Sequence, residues 1–269
     1  MAKTINVLFT GGLDSSYTMM YFSRFPVEIQ PYYLKDNRPS EQYELKAIKS
    51  IIDDIRLNPG TKANVRELIT KPTYGIKPDS EIQRAYRYMF KTAGFGKQYS
   101  FIARFAREEG LTGLFVSLVY NPYGRGNMAV RNCGGLVEVN DEGMEYFKLD
   151  PEKTEKNLYT LFENVLIPQS FVHTKEQEIE EMEKMGYGDS VKKTWFCFWP
   201  VNGEPCGICP PCKDLINEGM KWRFTEEGLK RNEEDRKVPA WKHKIRDYSL
   251  TLSDKWYEFK MRAAARDSK

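Results

Sequence analysis

The sequence predicts an α/β fold built on a doubly wound parallel sheet. Three observations carry that expectation. Short apolar, β-rich runs alternate with segments of helical periodicity, as βαβ units require. A glycine pair, Gly11-Gly12, joins the first such run to the first helical segment. The chain has 269 residues, enough for about one to two domains and for a sizeable core without staples.

Composition removes several classes. Aromatic residues make up 13%, too many for wholesale disorder. No run approaches the ~18 apolar residues of a membrane span. The 41 basic and 38 acidic residues leave a net charge of +3, too balanced to point to nucleic acid by itself. The opening MAKTINVLFTGG does not read as a secretory signal. A cytoplasmic location with reduced thiols is therefore expected.

Taken in order, residues 4–10 read as a short buried strand: Ile5, Val7, Leu8 and Phe9 precede the glycine pair. Residues 15–25 read as a helix with Asp14 or Ser15 as its cap. Residues 27–34 form a second strand, made irregular by Pro31. Residues 40–57 form a long helix capped by Ser40, with Tyr43, Ala47, Ile48, Ile51, Ile52 and Ile55 on one face. Residues 65–69 are a third strand. Residues 79–110 are helical with a break near Gly94 and Gly96. Residues 114–119 are a fourth strand. Residues 121–135, rich in Gly and Asn with Arg125 and Arg131, read as a long functional loop. Residues 154–165 and 175–185 are further helices. From Arg223 onward the chain is charge-dense, with Trp241 and Trp256 interleaved, and reads as an appended helical tail with a solvated face.

Two segments carry chemistry. Thr10-Gly11-Gly12-Leu13-Asp14-Ser15-Ser16 lies between a strand and a helix. Glycine permits a tight turn and close approach of the backbone to a ligand. The amides of the following helix N-terminus offer an anion site. A P-loop of the Walker A type needs a Lys that is absent here. The residues alone leave a phosphate loop and a plain Gly-rich turn both open.

The second segment is Cys197, Cys206, Cys209 and Cys212. Short thiolate spacings of this kind supply the tetrahedron that a structural Zn²⁺ needs. An iron–sulfur cluster is the alternative. Four ligands leave no open position, which excludes a catalytic metal here. Cys133 stands apart as an ordinary thiol. With only His173 and His243, a multi-His catalytic metal centre is excluded.

These segments resemble known proteins. Thr10–Ser15 resembles the Ser-Gly-Gly-x-Asp-Ser pyrophosphate loop (PP-loop) of the N-type ATP pyrophosphatases, with Thr for Ser at the first position. Pro168, Thr174-Lys175, Gly186, Thr194-Trp195-x-Cys197 and Pro205-Cys206-Gly207-x-Cys209-x-x-Cys212 add a further likeness. In that order they resemble the 7-cyano-7-deazaguanine synthase family of queuosine biosynthesis, over roughly residues 4–222.

The resemblance implies a HUP-like parallel sheet and an ATP-dependent C–N ligase. Such an enzyme adenylates 7-carboxy-7-deazaguanine and, with ammonia, forms the nitrile. It implies ATP phosphates around residues Thr10 to Ser16, Mg²⁺ held in part by Asp14, Lys175 near the nucleotide or activated acyl group, and a structural Zn²⁺ on the four cysteines. Asp14 and Lys175 are the catalytic candidates. Lys97, Arg104, Arg125 and Arg131 are candidate cations for phosphate or carboxylate.

The sequence departs from the family in places. Gln177 stands where the family has Glu. Lys97-Gln98 replaces an Arg-Asn pair, and Asn121-Pro-Tyr-Gly replaces Tyr-Pro-Asp-Cys. Two other readings follow. One is a paralogue associated with antiviral defence, which transfers the activated deazaguanine to an amine on a partner protein or nucleic acid. The other is a non-catalytic zinc-knuckle scaffold. The expected organisation is a nucleotide-binding domain over 1–196, a zinc segment over 197–222 and a charged helical tail over 223–269. A homodimer and the absence of a membrane partner complete the expectations.

Overall fold

The computed structural model describes residues 2–118, 130–132 and 134–239. Two compact units emerge. The first comprises Met1–Leu34 and Tyr43–Trp195, the second Lys35–Gln42 and Phe196–Lys269.

The first unit is built on one sheet. Its strands are β1 (Thr4–Leu8), β2 (Glu28–Lys35), β3 (Asn64–Val65), β4 (Ile69–Pro72), β5 (Leu114–Phe115), β6 (Leu136–Asp141), β7 (Met144–Leu149) and β8 (Val165–Pro168). The order is β3-β2-β1-β5-β8-β7-β6, with β4 also paired to β2. Strands β3 through β8 in that order run parallel. The β6–β7 hairpin then adds antiparallel to β8. The sheet is mostly parallel, as the sequence predicts, with an antiparallel hairpin added at one edge.

Alternation along the central strands makes the fold two-sided. Ile5, Val7 and Phe9, Ile29 and Tyr33, and Phe115 enter one buried cluster. Leu8, Tyr32 and Leu34, and Leu114 and Val116 enter another. Successive side chains of a strand point to opposite faces, so a sheet with two apolar faces must be covered twice. Helices α1 (Leu13–Ser23) and α2 (Glu41–Leu57) bring residues to the first cluster. Helices α3 (Ser80–Ala93), α4 (Gln98–Glu108) and α5 (Lys156–Phe162) bring residues to the second. Helices α6 (Lys175–Lys184) and α7 (Gly188–Val191) add Met182 and Val191 to the first.

The long helical stretch breaks where expected. Gly94 takes a left-handed φ of 65° and its amide closes α3 onto the Met89 and Phe90 carbonyls, a turn that glycine adopts without penalty. Asp79 caps the other end, accepting from the Glu81 and Ile82 amides. Other boundaries moved. The expected third strand ends at Val65, and a separate strand starts at Ile69. The expected fourth strand stops at Phe115, and its expected end at residue 119 lies outside the described residues. The helix expected over 154–165 is shorter, because Val165 already belongs to β8.

The second unit holds α8 (Pro210–Asn217) and α9 (Glu226–Arg236). Prolines open α8, where their missing N–H costs nothing. Thr225 caps α9 by accepting from the Gly228 amide. Among the described residues no helix is long and apolar enough to cross a membrane.

Candidate functional site

Strand β1 has β2 on one side and β5 on the other, and the chain leaves it through α1. Such a switch point opens a crevice at the carboxyl ends of the strands. Residues Thr10 to Ser16 lie there.

The loop's shape follows from its residues. Gly11 has φ of +70°, and a Cβ on it would lie 2.9 Å from the Glu44 carbonyl oxygen of α2. Only glycine fits that position without strain. Gly12 is the N-cap of α1, and no side chain caps that helix. The first helical bond runs from the Ser16 amide to the Gly12 carbonyl at 3.0 Å. The amides of Leu13, Asp14 and Ser15 therefore precede the hydrogen-bonded ladder and suit an anion.

The hydroxyls shape the loop. Ser16 Oγ donates to the Gly12 carbonyl at 2.7 Å and Ser15 Oγ at 3.2 Å. The Thr10 amide donates to Ser15 Oγ at 3.2 Å. Thr18 Oγ1 donates to the Asp14 carbonyl at 3.0 Å and lies 3.0 Å from Ser117 Oγ, just past β5. Asp14 Oδ1 is enclosed and has no hydrogen-bond partner among the described residues. Enclosing an unsatisfied carboxylate oxygen is costly. A divalent cation fits that atom, and with it the phosphates that the open amides would take.

Residues that the sequence marked only by resemblance have definite places. The Trp195 amide donates to the Gly11 carbonyl at 2.8 Å. Its ring stacks on Tyr43 of α2, centroids 4.6 Å apart and planes 17° from parallel. Trp195 thus fixes the backbone of the glycine loop. Gln177, the family's Glu position, completes a capping box. Its Oε1 accepts the Thr174 amide at 2.8 Å, and its own amide donates to Thr174 Oγ1 at 3.2 Å. Its neighbour Glu178 is fully buried. Lys175 is the first residue of α6 and is half-buried.

The other candidate cations divide. Arg104 braces backbone, donating to the Ser100 carbonyl at 3.3 Å and the Ile76 carbonyl at 3.2 Å. Arg131 lies over the Phe171 ring at 5.2 Å. Lys97 is exposed and sits just before α4. Arg125 and Cys133, with most of the 121–135 loop, lie outside the described residues, as do His243, Trp241 and Trp256.

Sequence reasoning passed over the segment after β8. Ser170 Oγ and His173 Nδ1 are buried without hydrogen-bond partners among the described residues. The His173 ring meets Tyr17 edge-on at 5.6 Å, one helical turn beyond Asp14. Burial pushes the His173 imidazole below its ordinary pKa, against a smaller opposing pull from Glu181. An isolated His leaves no spacing pattern to find.

In the second unit the four thiols converge. All four cysteines are buried, unbridged, and have sulfurs within 4.8 Å of one another. Three separations are 3.3, 3.8 and 4.0 Å. A tetrahedron with Zn–S bonds of ~2.3 Å has edges of ~3.8 Å. The Cys206 amide donates to Cys197 Sγ at 3.2 Å, and the Ile208 and Cys209 amides donate to Cys206 Sγ at 3.4 and 3.3 Å. Such donors favour thiolates. The donor set suits zinc.

Helix α9 braces this knuckle. Arg231 Nε donates to the Cys206 carbonyl at 2.9 Å, and Asn232 Nδ2 donates to the Gly207 carbonyl at 2.7 Å. Gly207 has φ of +80°, and a Cβ there would fall 2.0 Å from the Gly228 carbonyl oxygen.

No family model matches the chain. Two curated proteins resemble it along most of their length. The 7-cyano-7-deazaguanine synthase of Nautilia profundicola is 24% identical over 229 residues, covering 79% of this chain and 91% of the relative. The 7-cyano-7-deazaguanine synthase of Nitratiruptor sp. is 23% identical over 222 residues, covering 77% and 89%. A solved 4-thiouridine synthetase–RNA complex with bound ATP aligns at a TM-score of 0.38 and 14% identity. It covers 87% of this chain and 54% of that one, a likeness too low to bear on function.

Proposed function

We propose that this chain, a divergent relative of the 7-cyano-7-deazaguanine synthases, is an ATP-dependent ligase. It activates the carboxylate of a 7-deazaguanine-type base and forms a C–N bond. The observation that carries this is the glycine loop at the switch point, with an uncapped helix N-terminus and the unpartnered Asp14 Oδ1.

The chemistry follows from the bond to be made. A carboxylate is a poor acyl donor because its leaving group would be an oxide. Attack of the carboxylate oxygen on the α-phosphorus of ATP forms an acyl-adenylate and releases pyrophosphate. Ammonia then attacks the acyl carbon and AMP leaves with the oxygen. The amide oxygen then attacks the α-phosphorus of a second ATP, releasing a second pyrophosphate, and its departure as AMP with loss of the two nitrogen protons gives the nitrile. The protein's part is to bind and orient. The amides of Leu13 to Ser15 take phosphate charge where it accumulates. Gly11 allows the close backbone approach, and Trp195 holds the loop in register. Mg²⁺ would be held by Asp14 and would neutralise phosphate charge. Lys175, at the start of α6, would approach the same phosphates. The four-cysteine site would hold a structural zinc and takes no part in the reaction.

The test is incubation with ATP, 7-carboxy-7-deazaguanine and ammonium, read by mass spectrometry and nucleotide chromatography. The expected result is acid-dependent AMP and free 7-cyano-7-deazaguanine. AMP without the free nitrile, with the acyl base attached to a partner protein or nucleic acid, would identify the defence-type transferase instead. No AMP under any condition would leave only the scaffold reading.

A further inference from the structure

Helix α3 presents an outer face that the proposed chemistry does not use. Its buried side is Ile82, Ala85 and Met89. At ~100° per residue, Arg84, Arg87, Tyr88 and Lys91 fall within an arc of about 100° on the opposite side. All four are exposed, and Tyr88 retains 46% of its surface. Phe90 flanks them, 57% exposed, its ring 6.1 Å from Tyr86. The acidic residue of this helix, Glu81, is engaged by Arg107 at 3.0 Å. Among the described residues no carboxylate pairs with Arg84, Arg87 or Lys91. The stripe is therefore positive and aromatic, and spans about 10 Å along the helix.

Cations without partners favour a polyanion, and exposed aromatic rings favour a ligand with flat faces to stack on them. An acidic peptide would meet the charge but leave Tyr88 unused. Duplex nucleic acid would meet the charge but has its base faces hidden. A single strand offers both phosphates and open base faces. We propose that the outer face of α3 is a binding surface for single-stranded nucleic acid, read without sequence preference. Arg84, Arg87 and Lys91 would take the phosphates and Tyr88 a base; Phe90 lies about 160° round the helix from Tyr88, outside the stripe. The overall charge of +3 hides this face because the remaining charge is mixed.

The test uses the full chain and fluorescein-labelled 20-mers of U and dT, followed by anisotropy. Binding of roughly micromolar strength is expected at low salt, weaker for a duplex of the same length. Three phosphate contacts on a single strand give a log–log salt slope of about −2, or about 16-fold between 50 and 200 mM. The triple variant Arg84→Glu, Arg87→Glu, Lys91→Glu should lose at least about tenfold in affinity. Circular dichroism should show its helix content unchanged. The variant Tyr88→Ala should lose about fivefold or more while keeping the salt slope. Acid-dependent AMP release, where the wild type shows it, should be the same in both variants. Four results would overturn the proposal. These are no binding by the wild type, undiminished binding by the triple variant, displacement of the oligonucleotide by a poly-Glu peptide at equal charge, or a change only in self-association on sizing.

Discussion

At the scale of single residues, Asp14 carries the strongest expectation. Its Oδ1 has no hydrogen-bond partner among the described residues, so removing the carboxylate takes no bond from that atom. Asp14→Ala should leave the fold and melting temperature near wild type while abolishing acid-dependent AMP release. Nucleotide turnover and a thermal melt check both halves, and unchanged turnover would mean that the loop is structural only. Gly11 is the contrasting case. Its positive φ and the nearby Glu44 carbonyl make Gly11→Ala a change of shape. The strain should be about 1–3 kcal/mol, visible as a lower urea midpoint together with lost turnover. The two variants separate the loop's chemistry from its geometry.

At the scale of elements, the four-cysteine knuckle and α9 form one device. The Gly207 carbonyl accepts from Asn232, whose side chain is buried. Deleting that amide leaves a buried carbonyl unsatisfied, at about 1–3 kcal/mol. Asn232→Ala should therefore speed zinc loss to a chromogenic chelator while the first unit's response to ATP stays intact. Chelation kinetics and an ATP titration check this, and unaltered zinc release would show that α9 does not brace the site. The four cysteines themselves were legible from spacing, as were the glycine loop and the apolar face of α2. The brace was not, because Arg231 and Asn232 bond to backbone carbonyls, which leave no mark in composition. The β6–β7 hairpin was missed for a different reason. Its Glu142-Gly143 turn takes φ of +54° and +86°, and Asn140 Oδ1 receives the Gly143 amide. The flanking runs carry Leu136, Val137 and Val139, and Met144, Tyr146, Phe147 and Leu149, so a strand pattern around a turn was present there and was overlooked. The Trp195 clamp escaped because a main-chain bond to Gly11 can be made by any residue type.

At the scale of the whole molecule, metal and nucleotide should act on different units. The thiol site belongs to the second unit and the glycine loop to the first. Purified protein should hold about one zinc per chain, since a four-thiolate structural site takes one ion. Cys209→Ser should lose the metal and aggregate, because structural zinc contributes folding free energy. ATP with Mg²⁺ should instead stabilise through the loop. A ligand at a hundred times its dissociation constant adds about 2.7 kcal/mol to the folded state. For a chain of this size that corresponds to a rise of roughly 5–10 °C in Tm. Asp14→Ala should abolish most of that rise without moving the baseline Tm, since it would remove the anchor proposed for the cation and leaves the α1 amides in place. A scanning calorimetry series of wild type and variant, each with and without ATP and Mg²⁺, measures both quantities at once. Equal shifts in the two proteins would place nucleotide binding away from the glycine loop, and with it the reaction proposed for this chain.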